Sequence, residues 1–193
     1  MRHGVFFRAL GSAFLALSLT ATGGQPGTPH VPGALQAPAD QVQAFELKAT
    51  GVQIYECRAS KDDPTRFEWV FKAPQADLFD ASGRPVGRHY GGPTWEGADG
   101  SKVVGEVKAR DTSLSTGSIP WLLLSAKANQ GPGLFSSVKS IQRLNTTGGA
   151  APATASQAQA GQEARIPYTA TYAFFVGIHR PGIPLDTHLG TIP

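Results

Sequence analysis

The feature that most constrains this 193-residue chain is a two-residue alternation of apolar and polar side chains, repeated in short runs between turn signals. In FEWVFK, Phe67, Trp69 and Phe71 share one side while Glu68 and Lys72 take the other. Successive side chains of a strand point to opposite faces, so this pattern predicts a half-buried strand. YTATYAFF repeats it, with Tyr168, Ala170, Tyr172 and Phe174 on one face. GVQIYEC sets Val52 and Ile54 against Tyr55 and Cys57, and KVVGEVKA resumes the alternation after Lys102. ADLFDASGRPVG reads as a strand end turning at Ser82-Gly83, and Asp99-Gly100 is a hairpin signal. IPWLLLSA suits a strand buried on both faces. GLFSSVKSIQRL is ambiguous: Leu134, Val138 and Ile141 keep helical spacing, whereas a strand fits only loosely. The 23 Gly and 15 Pro disfavour long helices and favour turns and strand ends. About eight short strands between turns predict an all-β, single-domain antiparallel sandwich or barrel with little helix.

The flanks read differently. MRHGVFFR is positively charged, ALGSAFLALSLTA is an apolar run, and small residues follow to Gly24. That order predicts a signal peptide over residues 1–24, the run being shorter than the ~20 residues a membrane span needs. The expectation is export to the periplasm or the extracellular space, with no transmembrane anchor after cleavage. Residues 25–40 are Pro/Gly-rich and read as an extended linker. The β-rich domain is expected over 41–176 and an irregular tail over 177–193. Inside the domain, GGAAPATASQAQAGQEAR has no apolar period and reads as a long, mobile surface loop.

The formal charge of +3 comes from 17 Lys+Arg against 14 Asp+Glu. Removing Arg2 and Arg8 with the leader leaves 15 against 14, or +1. No basic cluster remains, which argues against nucleic acid as a partner, since phosphate binding needs converging cations. Cys57 is the single cysteine, so no intramolecular disulfide can form. It reads as a small buried hydrophobe, with intermolecular pairing or a reactive thiol as the other reading.

The ordered series GVQIYEC, FEWVFKAP, VGRHYGGPTWEGADGSKVVG, IPWLLLSA, IQRLNTTGGAAP and YTATYAFF resembles the domain of unknown function 3455 family. The resemblance covers roughly residues 40–176 and implies an exported, β-rich domain with no assigned activity. It also implies a second Cys in the Ala/Gly-rich loop, where this chain has Ser156, and hence a loop freed from its tether to Cys57.

The densest polar and aromatic cluster is HYGGPTWEGADGS, which gathers His89, Tyr90, Trp95, Glu96 and Asp99 among four glycines. Such loops often carry binding sites on a rigid sheet. His89 and Glu96 are candidates for an acid–base pair. The structural alternative has Trp95 plugging the core, Glu96 capping a turn and Asp99-Gly100 shaping a hairpin. Trp69 and Trp121 lie in apolar runs and read as core. Of five His, only His89 lies within the domain, so no metal site and no cofactor is implied. Ser101 is the hydroxyl nearest His89 that a triad would use, but no G-x-S-x-G elbow exposes it. Phosphate-cradling loops are absent from the sequence too. Glu96 and Asp99, or Asp62 and Asp63, are weak glycosidase pairs. Asn145-Thr146-Thr147 matches a glycosylation acceptor. The sequence therefore favours non-catalytic binding of a ligand or envelope component, glycan among them, through residues 89–101. A small hydrolase using His89 with Glu96 or Asp99 is the first alternative, and a structural or assembly role the second.

Overall fold

A computed structural model describes residues 30–113 and 115–178, so the expected leader and most of the tail lie outside the described residues. Eight strands follow in order: β1 (Gln41–Ala59), β2 (Phe67–Phe79), β3 (Pro85–Tyr90), β4 (Thr94–Gly97), β5 (Lys102–Asp111), β6 (Trp121–Gln130), β7 (Val138–Gly148) and β8 (Glu163–Gly177). Each pairs antiparallel with the next, and β8 returns to pair with β1, so the sheet closes into an up-and-down barrel. Closure leaves no free strand edge. Of the two expected architectures, the barrel is the one formed. Among the described residues, helix is confined to two 3₁₀ turns, Gly33–Leu35 and Gln157–Gln159.

The ambiguous 133–144 stretch is a loop followed by strand β7. Leu134 is exposed in that loop, while Ile141 faces inward beside Leu124 of β6. Inward positions of β1 are Leu47, Ala49 and Gly51, paired with Tyr172, Ala170 and Tyr168 of β8. Gly51 is required there, because a Cβ would collide with the Gln75 carbonyl of β2. Register shifts at Val104/Gly105 and Val107/Ala109 bend β5 and restart its alternation.

The two ends of the barrel differ. At the end where β1 starts and β8 finishes, the β6–β7 loop packs Phe135 against the stacked rings of Phe45 and Phe174, with ring centroids 5.9 and 5.1 Å away. Asp99 Oδ2 accepts from the Leu134 amide at 2.7 Å and Asp99 Oδ1 from the Ser101 hydroxyl at 2.6 Å. Ser101 Oγ in turn accepts from the Phe135 amide at 3.1 Å. Asn129 Nδ2 donates to the Phe135 carbonyl at 2.8 Å. These bonds seal that end. The β1–β2, β3–β4, β5–β6 and β7–β8 connections rim the other end.

Two segments expected to be loose are held against the barrel. Leu35, fully buried, packs by its 3₁₀ turn on β5 and β6, and its carbonyl accepts from Gln142 Nε2 at 2.6 Å. Residues 31–40 therefore do not form an extended spacer. The Ala/Gly-rich loop is not free either. The Cys57 amide donates to the Gln162 carbonyl and the Gly161 amide to the Cys57 carbonyl, at 3.0 and 2.9 Å. Trp69 Nε1 donates to the Thr154 carbonyl at 2.8 Å. Ser156 and Gln159 form a capping box around the second 3₁₀ turn. Small side chains hide this docking from an apolar-period reading, because the backbone makes the contacts. Cys57 itself is buried, with its thiol 3.7 Å from the Ser156 carbonyl.

Candidate functional site

The barrel wall divides the sequence cluster. Strands β3 and β4 pair His89 with Trp95, Arg88 with Glu96 and Tyr90 with Thr94. His89 and Trp95 face inward and are buried. Glu96 and Tyr90 face outward, where the Glu96 carboxylate accepts from the Tyr90 hydroxyl at 2.8 Å. Arg88 and Lys102 lie 3.1 and 3.6 Å from the same carboxylate. The Tyr90 bond, followed by that of Arg88, holds the Glu96 carboxyl below its ordinary range. Asp99 belongs to the sealed end, where its bonds fix the Phe135 plug. His89 and Trp95 line the interior together, Tyr90 and Glu96 share a groove on the outer face with Arg88 and Lys102, and Asp99 stands apart from both. Neighbouring strand positions alternate across the sheet, which is why proximity in sequence misleads here. The His89–Glu96 acid–base pair is not assembled.

His89 Nδ1 lies 2.8 Å from the Thr94 carbonyl, which can only accept, so Nδ1 carries the proton and Nε2 keeps its lone pair. Burial pushes the imidazole pKa down to about 3 against the opposing pull of the Thr94 bond, with the Arg143 charge lowering it further. The ring is neutral at physiological pH.

His89 and Trp95 form part of the wall of a cavity of about 430 Å³ inside the open end of the barrel. Eight-stranded barrels have an interior either filled by side chains or able to hold one small ligand. The apolar wall comes from Val107, Ile119, Leu122 and Leu124, and Phe71 stands at the rim, half exposed. Six polar lining residues lie outside the sequence cluster: Gln53 and Tyr55 on β1, Lys72 on β2, Arg110 on β5, Arg143 on β7 and Tyr172 on β8. The Tyr55 hydroxyl donates to the Gly149 carbonyl at 2.6 Å. Gly149 adopts φ +83°, and a Cβ there would come within 2.9 Å of Tyr168 Cβ, so the loop can bring this carbonyl in only at a glycine. Arg143 Nε and Nη2 donate to the Pro120 carbonyl at 3.1 and 2.8 Å, tying β7 to the β5–β6 loop. Gln53 Nε2, Trp95 Nε1 and the Tyr172 hydroxyl are buried with no hydrogen-bond partner in the protein. Tyr172 and Tyr168 act on each other electrostatically, but their hydroxyls do not reach hydrogen-bond geometry. Burial raises the Tyr172 hydroxyl pKa.

Tyr172 was legible as part of an inward face, though as core. Gln53 and Arg143 are polar residues on the apolar phase of alternating strands, two positions from Tyr55 and Ile141 respectively. That phase was the available signal. Trp121 is buried outside the central cluster, and Trp69 is half-buried beneath the Ala/Gly-rich loop. Among the described residues, no group of three His, Cys, Asp or Glu side chains is placed to hold a metal ion.

The architecture is that of a closed meander barrel with one sealed end and an interior cavity at the other. Over residues 38–176 the chain matches the family model described as a protein of unknown function (DUF3455), and it belongs to that family. No curated protein matches it, and no solved structure does.

Proposed function

We propose that this domain is a non-catalytic binding barrel that takes up a small, largely apolar molecule through its open end. The observation that carries this reading is the 430 Å³ cavity, in which apolar walls surround buried polar groups without protein partners. Ligand sites commonly combine an apolar lining with a few convergent polar groups. Each unpaired buried donor costs roughly 1–3 kcal/mol, which a ligand acceptor would offset. The reading keeps the expectation of binding over hydrolysis but moves the site from the outside of residues 89–101 to the interior. The leader-like residues 1–24 support a role after export, among molecules met outside the cytoplasm.

A thermal-shift panel of sugars, acyl chains and small aromatics on the mature chain tests it. A ligand at 100 times its dissociation constant stabilises by about 2.7 kcal/mol, or roughly 5–10 °C for a domain of this size. The expected result is such a shift, lost in Val107→Trp, which fills the mouth from a partly exposed position and leaves the unliganded Tm unchanged. A shift that survives Val107→Trp, or none across the panel, overturns the reading.

A further inference from the structure

We propose that the cavity selects a small monoanionic acid, a carboxylate on an aromatic or short acyl body, whose charged oxygens seat against Arg143. This rests on the interior being the binding site.

The charges of the wall are one-sided. Lys72, Arg110 and Arg143 line the cavity, and no Asp or Glu does. Lys72 is neutralised on the outer surface by Glu163, 2.6 Å away. Arg110 lies at the exposed rim. Arg143 alone carries its charge into the interior, and among the described residues no carboxylate lies within ion-pair distance of it. Its bonds to Pro120 satisfy Nε and Nη2 but leave the positive charge uncompensated. A half-buried cation without a counter-ion is costly, and a carboxylate is the partner whose geometry a guanidinium matches.

The unpaired hydrogen-bonding groups lean the same way, with the His89 Nε2 lone pair as the exception. Trp95 Nε1 and Gln53 Nε2 can only donate, and the Tyr172 hydroxyl is free to do so. The Arg143 charge acts on Tyr55, His89 and Tyr172 alike, which places it among these polar groups rather than apart from them. These donors and the Arg143 charge call for a ligand richer in acceptors than in donors, as a carboxylate is. A sugar presents both in equal measure, and a cation meets like charge. At about 30 Å³ per water-sized volume, the cavity suits a body of a dozen or so non-hydrogen atoms. Leu122 and Leu124 supply the apolar wall for that body.

Calorimetric titration of the mature chain with two matched pairs tests the proposal: naphthalene-2-carboxylate against its carboxamide, and decanoate against decanol. In wild type the acid of at least one pair is expected to bind about tenfold more tightly than its neutral partner. In Arg143→Met that gap closes while the neutral partner's affinity stays within about twofold, which also reports an intact fold; Arg143→Lys retains part of the gap. Equal binding of acid and neutral partner in wild type overturns the anion assignment and leaves the cavity reading standing. This comparison needs no variant. Binding by none of the four compounds removes both.

Discussion

The His89 imidazole lies flat on the Trp95 indole, with ring centroids 4.4 Å apart and planes 15° apart, and both rings meet Tyr172 edge-on at 5.1 and 5.3 Å. The stack is possible because the pairing of β3 with β4 sets these two residues opposite each other on the inner face. It keeps the imidazole neutral and desolvated, so His89 acts here as an aromatic wall with one lone pair.

That neutrality makes stability depend on pH. The native His89 pKa is about 3 against an ordinary value of 6.5, so between these limits the unfolded chain binds a proton that the folded chain refuses. Stability is therefore full above about pH 6.5 and falls as pH drops toward 3, by roughly 1.4 kcal/mol per unit. Asp80, held near 2 mainly by the Ser82 hydroxyl, adds its own loss only below about pH 4, as does Asp99. Urea unfolding between pH 6.5 and 5.5 isolates the histidine, because the lowered Glu56, Glu96 and Glu106 carboxyls contribute only as pH nears their ordinary 4.5. His89→Gln, which can still donate to Thr94, is expected to flatten the profile in that window, and an unchanged slope would refute the account.

Phe135 is expected to be the most expensive loop residue to truncate. It is fully buried in a segment with no regular structure, and Phe135→Ala should cost about 3–5 kcal/mol by leaving a cavity beside the stacked Phe45 and Phe174 rings. Asp99→Ala removes the acceptor for the Leu134 amide and should speed hydrogen exchange at Leu134 and Phe135 without altering exchange at the open end. Uniform acceleration throughout the barrel would show instead that Asp99 acts on global stability.

Gly105 sits where a Cβ would lie 2.9 Å from Trp95 Cζ3 and 3.1 Å from Leu124 Cδ2. Both neighbours are buried and cannot retreat outward. Gly105→Ala should destabilise by about 1–3 kcal/mol and shift the tryptophan emission as the Trp95–His89 stack is displaced. Wild-type stability and emission in this variant would mean that the stack is looser than its geometry indicates.

The proximity of the Cys57 thiol to the Ser156 backbone, 3.7 Å, makes Ser156→Cys a direct test of how the Ala/Gly-rich loop docks. Under oxidising conditions the new thiol is expected to pair with Cys57, enclosing almost a hundred residues. Such a loop stabilises by up to about 4–5 kcal/mol. Thiol titration before and after reduction checks this; two free thiols after oxidation would show that the loop does not sit against β1 as described.

Much of the barrel was legible because its strands are wet on one side. The face Tyr168 to Phe174 announced its inward phase without further help, and Phe67, Trp69 and Phe71 their shared side, although none of these three is buried. What two-residue periodicity omits is curvature. Nothing in KVVGEVKA marks the two register shifts of β5, and closure of β8 onto β1 is a property of the whole sheet. The candidate cluster is divided for a related reason. Tyr90 and Glu96 flank His89 and Trp95 in sequence, yet each lies across the wall from its neighbour. Gln53 and Arg143, the residues that complete the interior, sit far away in sequence and are polar where the strand phase calls for apolar.

Closure also sets an order in time. Strand β1 ends at Ala59, and the strand that covers its second side begins only at Glu163, about a hundred residues later. At synthesis rates of about 5–20 residues per second, β1 waits roughly 5–20 seconds for that partner. A chain emerging end-first from a ribosome therefore cannot close its barrel until the last strand has followed.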